Sequence, residues 1–445
     1  MPTVTAPSSK SVSHRAIIAA CLAQGTSRLT GLLASEDLER TRACMTAMGA
    51  DLHPQSDGSC IVSGTAGRPQ GGTDAEPVVL DVGESGTTCR LLTAVAAAGR
   101  GVFEIRGRGR LHDRPIGELI DALTPLGVAV RSLGKPGHPP LRLTTAGLSG
   151  GETTITLEDS SQYLSGLLLA APLADGPVTV AVTGGKAVSW PYVAITLSTL
   201  ADFAVPFTVE TLADGAWTAA DWRTLTDVTP GRVRFRMRPA AYMPRDCAVE
   251  GDWSNASYFL AAGAVGPEPV TVTGLRPDSL QGDRAICDIL ASMGARLEIT
   301  DVGVTVLPSA LAGRVLDMSR CPDLVPTVAV AACFATGTTT ITKVAHLRLK
   351  ESDRIEAVAE NCTRAGATVT ILADGLCIHP NPLPAGRTID FASFHDHRLA
   401  MSAALFGLAG VTVRLDDPGC VAKSFPNFWE KWEKLGLCPS PHRGE

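Results

Sequence analysis

The sequence predicts an α/β protein of two domains, each built from three copies of one unit around buried helices. The chain has 445 residues, which is too long for one ordinary domain and suits two of about 200. Six times along the chain, a polar cluster, an Ala- and Leu-rich helical stretch, a glycine and a β-branched strand follow one another. Six such units divide naturally into two domains of three.

The helical stretch of each unit is apolar on nearly every side. The six stretches are HRAIIAACLAQ, RLLTAVAAA, LSGLLLAAPLAD, SNASYFLAAGAV, VPTVAVAACFA and LAMSAALFGLA. Helices without a polar face are expected inside a protein, so these six should be buried. Second, more polar helices such as RIEAVAENCTRAGA should lie outside. The segment from about Val209 to Pro244, rich in Asp, Trp and Pro, is predicted to separate the third unit from the fourth.

Composition narrows the class of protein. Hydrophobic residues make up 45% and charged residues 19% of the chain, as in a soluble globular protein. The net charge of −6 does not favour binding to nucleic acid. The 12 cysteines form no CxxC pair and no Cys/His cluster, which favours reduced thiols over disulfides or zinc. With no secretory leader and no apolar run of about 20 residues, we expect a cytoplasmic protein without a membrane segment.

Cations recur in the polar clusters that precede the predicted helices. They are Lys10, Arg15, Arg90, Arg114, Lys350, Arg354, Arg398 and Lys423. Helix N-termini favour anions because their N–H groups are unpaired and the helix dipole is positive there. In a chain that is acidic overall, this clustering of Lys and Arg residues at predicted helix starts predicts a site for small ligands with several phosphates and carboxylates. Asp323 and Glu351 lie among these cations and are the acid–base candidates.

Each motif alone also has a structural interpretation. Lys10–Arg15 suits an exposed, capped helix start, and Arg108–Gly117 suits a solvated basic loop with Pro at a helix start. Gly83–Arg90 lacks the lysine of a Walker loop and the GxGxxG spacing of a dinucleotide site. Lys350–Arg354, where the predicted strand ITKVAHLRL meets a helix, suits a charged first turn, and a histidine such as His397 is more often structural.

Eight motifs, in order along nearly the whole chain, resemble those of the 5-enolpyruvylshikimate-3-phosphate synthases. They are Lys10-Ser11…Arg15, Gly86-Thr87…Arg90, Arg114-Pro-Ile-Gly117, Ser160-Ser161-Gln162, Val249-Glu-Gly-Asp252…Ser257-Tyr-Phe-Leu-Ala-Ala262, Lys350-Glu-Ser-Asp-Arg354, Asp396-His-Arg398 and Lys423-Ser-Phe-Pro426. The resemblance implies the two-domain enolpyruvyl transferase fold, with three βαβαββ units per domain around buried parallel helices, an inside-out α/β barrel. It implies one domain at 9–247 and another at 1–8 plus 248–445, with the active site in the cleft between them.

The resemblance also implies the reaction and its participants. The enolpyruvyl group of phosphoenolpyruvate passes to the 5-hydroxyl of shikimate-3-phosphate in a monomer with no metal or organic cofactor. Asp323 takes the hydroxyl proton, and Lys10 and Glu351 are the candidates for protonating C3. The residues implied for shikimate-3-phosphate are Lys10, Ser11, Arg15, Ser160, Ser161, Gln162, Ser189, Asp323, His346 and Lys350. Those implied for phosphoenolpyruvate are Lys10, Gly86, Arg90, Arg114, Gln162, Arg354, Arg398 and Lys423.

Some positions depart from the common pattern of that family and leave alternatives open. Glu84 and His346 stand where Asn is common, and Trp190 stands where Lys is common. Glu84 and Trp190 support a paralogue that acts on another phosphorylated hydroxy acid. A UDP-N-acetylglucosamine enolpyruvyl transferase would have a Lys-Asn start and a loop cysteine, which this chain lacks. The third alternative is a non-catalytic binding protein or a relative that processes RNA ends, against which the acidic balance argues.

Overall fold

The computed structural model describes residues 2–440 and the strand at 442–443. Within these residues the chain divides into two compact units. Unit 1 runs to Ser9 and resumes at Glu250, and unit 2 is Lys10–Val249. Both units contain several small sheets and many helices, so the predicted α/β class is confirmed.

The α-helices of the described residues alternate with short strands along the chain. They are α1 Lys10–Leu22, α2 Glu36–Ala47, α3 Gly86–Ala97, α4 Gly117–Leu123, α5 Gln162–Ala170, α6 Trp190–Asp202, α7 Trp253–Val265, α8 Ile286–Ser292, α9 Val325–Cys333, α10 Arg354–Arg364, α11 His397–Ala403 and α12 Phe428–Lys434. Short 3-10 turns occupy Gly109–Asp113, Thr124–Leu126, Ala171–Leu173, Gly282–Ala285, Pro322–Leu324, Ala345–Leu349, Ala404–Ala409 and Pro418–Lys423. No helix among the described residues is both long enough and apolar enough to cross a membrane.

The strands are short. The first 14 are β1 Thr3–Thr5, β2 Thr26–Thr30, β3 Asp51–Pro54, β4 Cys60–Ser63, β5 Val78–Gly83, β6 Gly101–Gly107, β7 Ala129–Ser132, β8 Leu141–Thr145, β9 Gly151–Leu157, β10 Val178–Ala187, β11 Phe207–Ala213, β12 Ala216–Ala220, β13 Val233–Met237 and β14 Cys247–Ala248. The others are β15 Val270–Thr273, β16 Arg296–Ile299, β17 Gly303–Leu307, β18 Val315–Asp317, β19 Thr339–Thr342, β20 Thr368–Leu372, β21 Gly375–His379, β22 Thr388–Phe391, β23 Thr412–Leu415 and β24 His442–Arg443.

Among the described residues, five sheets contain one parallel pair of strands, and the sheet β22-β23-β24 contains two. The strand orders in unit 2 are β14-β2-β4-β3, β5-β6-β8-β7 and β12-β11-β13-β10-β9, and those in unit 1 are β1-β15-β17-β16, β18-β19-β21-β20 and β22-β23-β24. An apolar helix stands before one strand of each parallel pair: α1 before β2, α3 before β6, α5 before β10, α7 before β15, α9 before β19 and α11 before β23. Parallel strands need a crossover connection. In each sheet, the repeated helix–glycine–strand pattern of the sequence therefore marks the apolar helix and the parallel strand that it leads into.

The six apolar helices form the core, as predicted. Every residue of α1 from Ser13 to Leu22 is buried, and α9 is buried along its whole length. The amphipathic α10 instead exposes Glu356, Glu360 and Arg364 on one face. The burial pattern therefore confirms both predictions: the apolar helices lie inside, and the more polar helix lies at the surface. Burial of a helix without a polar face costs little free energy, because it removes mainly apolar surface from water.

Three local predictions are wrong. Val209–Pro244 does not separate two units, because β11, β12 and β13 extend the third sheet of unit 2. The segment ITKVAHLRL is a strand only through Thr342 and continues into the 3-10 turn Ala345–Leu349. The sixth apolar stretch is α-helical only to Ala403 and ends as a tighter 3-10 turn.

Candidate functional site

In unit 2 the N-terminal parts of four helices lie side by side. Arg15 of α1 donates from Nε to Thr196 Oγ1 of α6 at 2.7 Å and from Nη2 to Ser165 Oγ of α5 at 3.1 Å. Arg90 of α3 donates from Nη1 to Oε1 of Gln162, the first residue of α5, at 2.9 Å. These contacts bring the N-terminal parts of α1, α3, α5 and α6 to one end of unit 2. Helix dipoles and N–H groups favour anions at that end.

Two arginines flank the start of α3. Gln162, held by Arg90, donates from Nε2 to Thr87 Oγ1 at 2.9 Å. Arg114 is 6% exposed, and its guanidinium covers Gly86 so closely that a Cβ there would lie 2.5 Å from Cζ. Only glycine leaves room for this arrangement. The structure therefore brings together the predicted residues Gly86, Arg90, Arg114 and Gln162, and Arg90 also lies over the ring of Tyr163.

Lys10, the first residue of α1, is paired with a carboxylate that the motifs did not indicate. Its Nζ lies 3.1 Å from Oδ2 of Asp37 near the start of α2, and the two side chains are only 12% and 6% exposed. Asp37 follows Glu36 at a helix start, where acidic residues are common, so nothing in the local pattern sets it apart. Below this pair, His14 Nδ1 lies 2.8 Å from Thr41 Oγ1. Burial lowers the pKa of His14 to about 3, so this ring is neutral.

Arg15 has hydrogen-bond partners on three helices of unit 2. Besides its bonds to α5 and α6, it donates to the carbonyl oxygens of Ser11 at 2.9 Å and Tyr192 at 3.0 Å. Burial lowers the pKa of Arg15 to about 10, still well above neutrality. The guanidinium therefore ties α1 to α5 and α6 in the described state.

Of the four serines predicted for shikimate-3-phosphate, Ser11 is the second residue of α1, and the other three lie at the starts of α5 and α6. Ser160 Oγ accepts from the backbone N–H of Gln162 at 3.2 Å, and Ser160 and Ser161 are both buried. Ser189 precedes α6 with a φ of 57°, a left-handed conformation that is uncommon for residues other than glycine. Backbone strain of this kind occurs preferentially at ligand sites.

In unit 1, Arg354 lies at the centre of a cluster of carboxylates. Its guanidinium, with the side chain 1% exposed, donates to Asp396 at 2.7 and 3.2 Å, to Asp323 at 2.9 Å and to Glu351 at 2.8 Å. Arg398 binds the other oxygen of Asp323, with Nη2 2.8 Å from Oδ2. The candidate base, one candidate acid and two of the predicted anion-binding arginines are thus in direct contact.

The surrounding charges determine the protonation of this cluster. Burial opposes the negative charge of Asp323, but Arg398, Lys350 and Arg354 hold its pKa well below the usual range. Burial likewise opposes the charge of Arg354, but its carboxylate partners, Asp396 first, raise its pKa. Asp323 is therefore a carboxylate in the described state.

The predicted placement of the eight cations at helix entries is only partly right. At or near the first residue of a helix lie Lys10, Arg354 and Arg398. One turn further into a helix lie Arg15 and Arg90. At the C-terminal ends of 3-10 turns lie Arg114, Lys350 and Lys423. Arg114 also precedes α4, which begins at Gly117 and two residues later than the proline predicted to open it.

The positions that depart from the family pattern have specific surroundings. The exposed Glu84 places Oε1 beside Gly109, in the turn that precedes Arg114. Trp190 is buried and donates from Nε1 to the carbonyl oxygen of Leu225 at 2.8 Å, which fixes the loop after β12 to the start of α6. His346 is buried in the 3-10 turn that ends next to Lys350.

Neither unit offers a cluster of metal ligands in the part of the chain that the structure describes, where no group of three or more His, Cys, Asp or Glu side chains could hold a metal ion. All 12 cysteines are free thiols, and eight of them are buried. Burial raises the pKa of Cys89 to about 11, despite the nearby Arg90 and Arg114. The thiol is therefore protonated near neutral pH, as expected of a small core residue and not of a nucleophile.

Comparisons with known proteins agree along almost the full chain. The family model of EPSP synthase (3-phosphoshikimate 1-carboxyvinyltransferase) matches residues 2–432. The 3-phosphoshikimate 1-carboxyvinyltransferase of Methanosphaerula palustris is 43% identical over 436 residues, covering 97% of this chain and 96% of that protein. That of Thiobacillus denitrificans is 40% identical, with the same coverage. The structure of EPSP synthase from Acinetobacter baumannii matches with a TM-score of 0.74 at 27% identity, covering 98% of this chain and 96% of that one.

Proposed function

Because the chain belongs to the EPSP synthase family, the 3-phosphoshikimate 1-carboxyvinyltransferases, we propose that the two sets of side chains described above carry out the reaction of that family. The enzyme is a transferase of the shikimate pathway, which moves the enolpyruvyl group of phosphoenolpyruvate to shikimate-3-phosphate and releases phosphate. The observation that carries the proposal is that Arg354 and Arg398 both form ion pairs with Asp323. It combines a candidate base with two cations suited to an anionic substrate.

Phosphoenolpyruvate has a carboxylate and a phosphate, and both need fixed cations. We assign Lys10, Arg90 and Arg114 of unit 2 to these anionic groups. Gly86 contributes by leaving room for Arg114, and Gln162 by its hydrogen bond to Arg90. Unit 1 supplies Arg354, Arg398 and Lys423. Guanidinium groups suit this role because their forked donors match both carboxylate and phosphate.

Shikimate-3-phosphate has hydroxyl groups as well as anionic groups, and small polar side chains suit its ring. We assign Ser11, Ser160, Ser161 and Ser189, together with Gln162, to this ligand in unit 2. Arg15 contributes as a positioning residue, because the structure gives four of its hydrogen bonds to atoms of unit 2. Unit 1 adds Asp323, His346 and Lys350.

The reaction proceeds by addition followed by elimination. Asp323 accepts the proton of the 5-hydroxyl while that oxygen attacks C2 of phosphoenolpyruvate and C3 receives a proton from Lys10 or Glu351. The resulting tetrahedral intermediate then loses a proton from C3 and the phosphate from C2, which restores the double bond. Preorganised cations that face the developing negative charge are the main source of rate enhancement in such a site.

Substrate binding makes Asp323 a better base. The two arginines hold its pKa low in the described state, and a carboxylate of such low pKa is a weak proton acceptor. Phosphoenolpyruvate neutralises Arg354 and Arg398 as it binds, and the pKa of Asp323 then rises toward a useful value.

Phosphate release from phosphoenolpyruvate, measured with and without shikimate-3-phosphate, tests these assignments. We expect Lys10→Met and Asp323→Ala each to lower turnover by about a hundredfold or more, the usual effect of losing a positioned acid, base or cation. Near-normal turnover in both variants, with unchanged melting temperature, would falsify the proposed site. A requirement for another phosphorylated hydroxy acid in place of shikimate-3-phosphate would instead identify a paralogue.

The last part of the proposal concerns the architecture, location and oligomeric state of the protein. We propose that each unit is three βαβαββ repeats around its buried helices, and that both units act on the same pair of substrates. The free thiols support a reducing, cytoplasmic location. We also propose a monomer, which sedimentation of the purified protein tests directly.

A further inference from the structure

We propose that Cys377 and His379 form a reactive thiol–imidazole pair, at which low-molecular-weight disulfides reversibly modify the protein. Both residues lie on β21 of unit 1, two positions apart. Neither belongs to the eight family motifs, and the proposal does not depend on the catalytic roles assigned above.

The sheet β18-β19-β21-β20 presents both side chains on its outer face. Leu376 and Ile378 are buried in the core of unit 1, whereas Cys377 is partly exposed and His379 is exposed. Successive side chains of a strand point to opposite faces of a sheet, so Cys377 and His379 share the solvent side. A small reagent in solution can therefore reach the sulfur.

Three side-chain contacts prepare this pair for proton transfer. Sγ of Cys377 lies 3.6 Å from Nε2 of His379, within hydrogen-bond distance for a sulfur atom. The other ring nitrogen, Nδ1, lies 2.8 Å from Oγ1 of Thr338. A neutral ring whose Nδ1–H donates to Thr338 has Nε2 free to accept the thiol proton. The hydroxyl of Thr340, 3.6 Å from Sγ, can then donate to the thiolate.

The other cysteines have surroundings that oppose this reactivity. A cysteine reacts as the thiolate, and burial in apolar surroundings disfavours that form. Eight of the 12 cysteines are buried. Burial also raises the pKa of the other three partly exposed thiols, those of Cys247, Cys420 and Cys438. Contact with an imidazole on an open sheet face therefore makes Cys377 the thiol that we expect to react first.

The exchange balances with a small disulfide as the co-reactant. His379 Nε2 takes the proton of the Cys377 thiol, and the thiolate attacks one sulfur of the disulfide. A bond forms between Sγ and that sulfur while the original disulfide bond breaks. The departing thiolate takes the proton from the imidazolium, which leaves a mixed disulfide on Cys377, a free small thiol and a neutral His379. An excess of small thiol reverses the reaction.

Oxidised glutathione is a suitable probe for the fully reduced, full-length protein. Mass spectrometry of proteolytic peptides, sampled over time near neutral pH, gives the rate of modification at each cysteine. We expect Cys377 to be modified before Cys247, Cys420 and Cys438, and dithiothreitol to remove the modification.

Two variants test the role assigned to the imidazole. His379→Gln keeps a polar side chain but removes the base, and should slow modification of Cys377 at least about tenfold, since a positioned base typically contributes more than that. Thr338→Val removes the hydroxyl that orients the ring and should also slow it. His53→Gln is the matched control, because His53 is an exposed histidine of unit 2 that pairs with Asp51, and Cys377 should react in it at the wild-type rate.

Earlier modification of any other cysteine overturns the proposal, as does a wild-type rate at Cys377 in either His379→Gln or Thr338→Val. An unchanged rate at Cys247 and an unchanged melting temperature show that a variant is folded. If His379→Gln does not fold, the rate in Thr338→Val decides between the two outcomes.

Discussion

Replacing Gly86 by alanine tests the close approach of Arg114 to the start of α3. The added methyl would lie 2.5 Å from Cζ and Nη1 of Arg114 and 2.6 Å from Nη2. Carbon atoms pack at about 3.5–4.0 Å, so the guanidinium has to retreat by about 1 Å. Arg114 is buried, and it has little freedom to move without leaving its position over the start of α3.

We expect Gly86→Ala to remove one charge-assisted hydrogen bond between Arg114 and the substrate. Such a bond contributes about 1.5–3 kcal/mol. Converted at 1.4 kcal/mol per factor of ten, this loss raises the KM for phosphoenolpyruvate by about ten- to a hundredfold. The fold should survive, because the clash is with the end of one side chain and no backbone atom is among the nearest three.

Steady-state phosphate release at several phosphoenolpyruvate concentrations measures this KM. Gly134→Ala is the control, since a methyl there meets its nearest neighbour, Pro140, at an ordinary 3.9 Å. An unchanged KM in Gly86→Ala would show that Arg114 does not bind the substrate from the position that it has here.

Three further substitutions compare a buried carboxylate with exposed ones. Asp396→Asn removes a charge that binds Arg354 through two hydrogen bonds and should lower the free energy of unfolding by about 3 kcal/mol. Asp390→Asn, at the exposed pair with Arg414, should lower the free energy of unfolding far less, because water screens exposed charges; equal losses in urea unfolding would contradict this contrast. Glu84→Asn should change the KM for phosphoenolpyruvate by less than about threefold, because an exposed carboxylate acts through water; a tenfold fall would place that carboxylate against the substrate.

The buried helices were predictable because their composition leaves no polar face. Burial all round removes the periodicity that otherwise identifies a helix face, but Ala and Leu favour a helix and the following glycine marks its end. The segment before Pro244 resembles a linker in composition, because it is rich in Asp, Trp and Pro. A signal for a strand was nevertheless present, since Val233, Phe235 and Met237 alternate with arginines and are all buried.

Carboxylate partners were much harder to predict than the cations. Asp396 lies 42 residues beyond Arg354 in the chain, and Asp37 lies 27 residues beyond Lys10. Each of these acids stands at a helix start, where the N-cap role of Asp396 and the helix dipole at Asp37 are sufficient explanations. Their pairing depends on how the helices pack, and no local pattern contains that information.

The different roles of Arg15 and Arg114 could not be predicted from their sequence patterns. Both arginines follow a polar cluster near a predicted helix start, and both were assigned to ligands on that basis. The structure gives Arg15 partners that are 150 and 181 residues away in the chain, Ser165 and Thr196, whereas it sets Arg114 over Gly86. The same residue type therefore holds helices together in one place and is placed to meet an anion in the other, and only long-range packing separates the two roles.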